Sequence, residues 1–131
     1  MEDYVNAAQR HFDDAKLLHT QTPSRLANAS HLYGFAAECA LKSIMLGSKN
    51  KGNVPRVHLP ALFNEFKNHS VTIGNAALAC KVKKYAAKFT SWAVEQRYHN
   101  QTVFGAQAVS DEADAAKNLL ALREQFIRKG I

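Results

Sequence analysis

Apolar positions recur at intervals of three and four residues in five stretches of the chain, separated by polar or Gly- and Pro-containing segments. From Val5 to Thr20, Val5, Ala8, Phe12, Ala15 and His19 mark one narrow helical face. Thr22-Pro23-Ser24 breaks and restarts the pattern. Proline suits a first helical turn, and Thr22 or Ser24 can cap it. A second helix then runs from about Ser24 to Leu46 and stops at Gly47. Leu26, Ala29, Tyr33, Ala37, Ala40 and Ile44 form its stripe, which Leu32, Ala36 and Leu41 widen. That width makes it the expected central helix.

Residues 47–56, GSKNKGNVPR, read as a polar loop. Leu59, Leu62, Phe63 and Phe66 hold an i, i+3, i+4, i+7 face with Pro60 in its first turn, and NHSVTIG reads as another loop. A fourth helix is expected from Asn75 to Phe89, with Leu78, Val82, Tyr85 and Phe89 inward and Lys81, Lys84 and Lys88 on a separate stripe. The last helix starts near Ser110, where Asp111, Glu112 and Asp114 complement its N-terminal dipole. Ala113, Ala116, Leu120 and Ile127 face inward, and Arg128, Lys129 and Gly130 end it. Residues 90–109 fit neither pattern: VEQRYH could prolong the fourth helix and VFGAQAV could be extended. No run alternates as a sheet strand does. The expected fold is an all-α antiparallel bundle of about five helices in one domain, 1–131.

Composition supports an ordered globular chain. Its 131 residues suffice for one core, and 47 % are hydrophobic. The opening MEDYVNAAQRHFDD is too polar and acidic for a secretory signal, and no apolar run approaches the roughly 18 residues of a membrane span. Cys39 and Cys80 sit in apolar helical patterns without a ligand-spaced partner, which points to buried free thiols. A cytoplasmic protein is expected, with no membrane association and no cofactor.

The net charge of +6 suits nucleic acid, nucleotides or an acidic partner without choosing among them. Lys81, Lys84 and Lys88, with Lys83 beside them, are either a solvated face or a ridge for phosphates. The six histidines, His11, His19, His31, His58, His69 and His99, are scattered, and no HExxH-type pair marks a metal site. Phosphate-loop, GxGxxG and GxSxG motifs are absent, and no imidazole shares the helical face of Cys39.

The stretch GFAAECALKSIM, residues 34–45, raises a sharper question, because Glu38 and Lys42 interrupt an otherwise apolar helix. They are spaced i, i+4 in the favourable order. Ser24 and His31 share their meridian opposite Ala37, Ala40 and Ile44, and Phe35 lies in the same stripe. A fully solvated face seldom carries a phenylalanine, so the stripe is expected to face something. A covered Glu38 needs a donor. The planar fork of Arg97, with Trp92 and Tyr98 as cover, is the expected one. The WAVEQRY segment would then fold back onto the second helix, with His31 or Tyr98 close by.

The succession AQRHFDDAKLL, HLYGFAAECALKSIML, HLPALFNEF and WAVEQRY resembles the HEPN domain family (higher eukaryotes and prokaryotes nucleotide-binding) over roughly residues 5–99. The resemblance implies an antiparallel helical bundle, usually a homodimer, working around RNA or nucleotides, often in toxin–antitoxin or defence systems. Some members are metal-independent ribonucleases that use an Arg, four to six intervening residues and a His. Others partner a nucleotidyltransferase. Here Arg97 has His99 only two residues on, and Arg25 with His31 is the correctly spaced pair. Regular helix turns those two about 120° apart. The first expectation is therefore a module binding RNA, nucleotide or a nucleotidyltransferase-type partner, with Glu38, Lys42, Arg97, Tyr98, Lys81, Lys84 and Lys88 as binding residues. The alternatives are a ribonuclease using Arg25, His31, Arg97 and His99 across a dimer, and a purely structural dimerisation module. A homodimer packed through the second or last helix is expected.

Overall fold

The computed structural model describes residues 3–47, 54–72 and 74–129, with side chains as far as Phe126. It has five helices among those residues: α1 (Tyr4–Thr20), α2 (Leu26–Leu46), α3 (Ala61–Thr72), α4 (Ala76–Ala86) and α5 (Ala106–Lys129). Short 3₁₀ turns at Ala87–Phe89, Val94–Tyr98 and Gln101–Val103 bridge α4 to α5. There is no strand among the described residues, as the pattern predicts.

α2 is the axis of the bundle. From Ala36 to Met45 every residue is buried, the condition of a helix enclosed on all sides. Ala29, Ala36, Ala37 and Ala40 are fully buried on it, and such small side chains let neighbouring helices approach closely. α1 runs antiparallel to α2: Tyr4 lies over Lys42, His11 meets Phe35, and His19 meets Tyr33. α5 lies along α2 in the same sense, with Glu112 bonded to Ser30 near their starts and Phe126 against Gly47 near their ends. Arg123 of α5 donates to the Val5 carbonyl (2.8 Å), so α1 and α5 are opposed.

Several boundaries differ from the sequence pattern, each for a local reason. Asp3 caps α1 by accepting from the Asn6 N–H (2.9 Å). Ser24 donates to the His19 carbonyl (2.8 Å), so it closes the end of α1 instead of capping α2, which begins two residues later. The NHSVT stretch is not a loop but the last turn and a half of α3, stabilised by the buried core position Ser70, whose hydroxyl bonds the Phe66 carbonyl. Gly74, at φ 74°, takes the left-handed conformation that separates α3 from α4, and Asn75 caps α4 at the Leu78 N–H. α5 starts at Ala106, four residues before Ser110, which moves Asp111, Glu112 and Asp114 out of its first turn. The expected inward side chain of Ile127, the terminal Arg128 and Lys129 side chains, Gly130, and most of the 47–56 loop lie outside the described residues.

Candidate functional site

Glu38 is 4 % exposed and Lys42 7 %, so the pair is a buried one. The Glu38 carboxylate is saturated from three directions. Lys42 Nζ donates to Oε2 (3.3 Å), His58 Nδ1 lies 3.0 and 3.1 Å from the two oxygens, and the Leu59 N–H reaches Oε1 (3.3 Å). A carboxylate accepts only, so the His58 proton sits on Nδ1 and leaves Nε2 for other work. The His58 side chain is 50 % exposed. Residue 38 thus clamps the segment that enters α3 onto the middle of α2. It also sets the tautomer of a half-exposed imidazole, the arrangement in which a carboxylate orients a histidine base.

Phe35, half-buried and one turn before Glu38, gathers four rings from separate elements. The centroids of His31, Trp92, His11 and His58 lie 4.7, 5.6, 5.7 and 6.1 Å from its own, and His31 stacks on Trp92 at 6.0 Å. The phenylalanine in the polar stripe is covered by three imidazoles and an indole. Burial lowers the His31 pKa, with Arg97 and then His11 adding to the effect. Burial also lowers that of His11, helped by Arg10 and opposed by Asp14 and Glu38. Both rings are therefore biased towards the neutral form, and the buried Nδ1 of His31 has no hydrogen-bond partner.

The WAVEQRY segment does fold back onto α2, through different residues from those expected. Trp92 is buried and its indole N–H donates to the Ser30 carbonyl (2.9 Å), while Gln96 Nε2 donates to the Ser30 hydroxyl (2.8 Å). A Cβ at Gly34 would fall inside the Trp92 indole, so glycine there is a requirement of docking. Glu112 of α5 also hydrogen-bonds the Ser30 hydroxyl; burial raises its carboxyl to about 7, with Asp111 adding to the rise and Ser30 opposing it.

Arg97 does not hold Glu38. It is exposed, with its guanidinium 4.9 Å above the ring of Tyr98, and it reaches His31 only through its charge. The physical reason is that Glu38 already has three donors nearer in space, and a 3₁₀ turn aims Gln96, not Arg97, at α2. Tyr98 is 76 % exposed and His99 is exposed beside it. Arg25 is the exposed residue preceding α2, while His31 turns into the ring cluster, where the charges acting on it are those of Arg97 and His11 and not that of Arg25. Lys81, Lys84 and Lys88 border shallow grooves between α4 and α5 around Tyr85. Lys84 lies over that ring (5.1 Å) and Lys88 is 4.0 Å from Asp111, which shares the groove with Asp114. Their charge is thus partly opposed. α2 exposes no residue between Ala36 and Met45, so its open positions for a second copy are in its N-terminal half and at Leu46.

Among the described residues no group of three metal-ligating side chains converges, and no helix is long and apolar enough to cross a membrane. Burial, then the charge of Glu38, pushes the Cys39 thiol up to about 11, far from nucleophilic. No family model, curated protein or solved structure matches this chain. Sequence reasoning overlooked His58, Ser30, Gln96 and Glu112. The one signal for His58 was the charged residue in GFAAECALKSIM that needed a partner from elsewhere.

Proposed function

We propose that this chain is a HEPN-like helical module that binds RNA or a nucleotide-containing ligand. The observation carrying this reading is the cluster of rings along the N-terminal half of α2, with one exposed arginine beside it. There His11, His31 and His58 surround Phe35, Arg97 acts on His31 through its charge, and Tyr98, under the Arg97 guanidinium, is open to solvent. Bases stack on such rings, and arginine meets phosphate. The net charge of +6 would draw polyanions to it. The same surface would suit a nucleotidyltransferase-type partner holding its own nucleotide, and a homodimer would pair two patches. Fluorescence anisotropy with a short single-stranded RNA tests the reading. Arg97→Ala with Tyr98→Ala should weaken binding at least tenfold. Binding unchanged in that variant, or lost only when Lys81, Lys84 and Lys88 become Gln, would overturn it.

A second reading, metal-independent RNA cleavage, is favoured by the Glu38–His58 pair, because an oriented imidazole is a competent general base. It moves the catalytic residue from Arg25, His31, Arg97 or His99 to His58. Incubation with RNA in a chelator, beside His58→Ala, distinguishes it from binding alone. Cleavage that survives His58→Ala refutes this assignment.

A further inference from the structure

α3 and α4 pack against each other without closing the space between them. A cavity of about 370 Å³ remains, floored by the buried Phe66 and Val82 and by Ala79 and Ala86, whose small side chains leave the room. Lys67 and Lys83 stand at its edge, and among the described residues no acidic one lines it. Neither lysine makes an ion pair among the described residues, unlike Lys88 in the α4–α5 groove. Volumes of a few hundred cubic ångströms, mostly apolar and with a few charged groups, are typical of small-molecule sites.

We propose that the α3–α4 cavity binds a free, small amphipathic anion: an apolar body on Phe66 and Val82, with a carboxylate between Lys67 and Lys83. Both halves of the surface favour it. A neutral apolar ligand would forgo the attraction of two ammonium groups at the rim. An inorganic anion would leave the apolar floor wet, and burying that floor is the larger driving force. A cation would meet two like charges and no acceptor carboxylate.

Cys80, expected from its apolar helical pattern to be buried, lines the same cavity and is exposed, which supplies a reporter. Cys39, buried and with its thiol raised to about 11, stays silent to a thiol reagent at neutral pH. The experiment is the labelling rate of the native chain by an aromatic disulfide, with octanoate below its micellar concentration as the probe. Octanoate should slow Cys80 labelling at least tenfold, and octanol or inorganic phosphate at equal concentration should not. The Lys67→Gln/Lys83→Gln variant should need at least tenfold more octanoate for the same protection. Ala79→Leu should fill the cavity and abolish the dependence on octanoate. Equal protection by octanol, unchanged protection in the double-Gln variant, or protection by anionic phospholipid vesicles without protection by octanoate would each overturn the proposal.

Discussion

Glu38 and Glu112 are both helical carboxylates, 4 % and 7 % exposed, set on neighbouring helices around the same core, yet they live in opposite electrostatic conditions. Glu38 receives an ammonium, an imidazole N–H and a backbone N–H. Glu112 has a single hydroxyl, that of Ser30, with the Asp111 carboxylate nearby, and its pKa climbs to about 7. Burial depth is the same in the two places; the supply of donors is not. Where donors converge, the charge becomes a clamp between elements. Where they do not, the group holds its proton up to about pH 7 and in that range serves as a neutral hydrogen-bonding residue.

The largest break in this contrast comes from Glu38→Ala. It leaves Lys42 buried without its partner and frees the His58 and Leu59 donors together. A loss of about 3–5 kcal/mol in urea unfolding is expected, as for other buried pairs cut on one side. The His58 ring should also lose its fixed tautomer, readable in its nitrogen chemical shifts.

Glu112→Gln should do the reverse at alkaline pH. The folded pKa, about 7, exceeds the ordinary value of 4.5, so the folded state holds the proton more tightly than the unfolded chain. The contribution of the neutral group is complete below about pH 4.5 and is lost as pH rises through 7. Some 2.5 units between those two values correspond to about 3 kcal/mol at 1.36 kcal/mol per unit. The glutamine variant should therefore gain stability over the wild type by about that amount at pH 8 and by almost nothing at pH 4. A parallel pair of stability–pH curves would refute the assignment.

The smallest effect sharpens the comparison from the other side. Ser30→Ala removes the one hydroxyl that stabilises ionised Glu112 and also takes the partner of Gln96. Stability should fall by about 2 kcal/mol, for two hydrogen bonds at the usual net worth of roughly 1 kcal/mol each. The Glu112 titration, followed by carboxyl carbon shifts, should move higher. A titration that stays in place or falls would show that Ser30 does not set it.

How far these features could be read in advance depended on the range of the forces involved. α1, α2 and α4 were legible because 3.6-residue periodicity is a local signal, and Leu78, Val82 and Phe89 all prove buried as their spacing implies. The end of α3 was misread because polar Asn68, His69 and Ser70 look like a loop, while the core contact of Ser70 is not a local property. The partner of Glu38 was missed for a related reason. Arg97 has the chemistry of a carboxylate ligand, but His58 has the position, and position depends on how the 54–60 segment crosses α2. Gly34 was a clue left unused. A glycine inside a helix costs about 1 kcal/mol relative to alanine, so its presence signals a close neighbour, here Trp92.

Ser30 also bears on the order of assembly. Its carbonyl and hydroxyl receive Trp92 and Gln96 across 62 and 66 residues of chain, and its hydroxyl meets Glu112 from farther still. The α1–α2 hairpin, by contrast, is closed by a connection of five residues, 21–25. Loop closure over long separations is the slow part of folding, and short hairpins come early. As the chain leaves the ribosome the first hairpin can form while Ser30 still bonds water. Ser30 gains its full set of protein partners only with the long-range contacts of Trp92, Gln96 and Glu112, so that one serine ties the early local hairpin to the late, distant parts of the bundle.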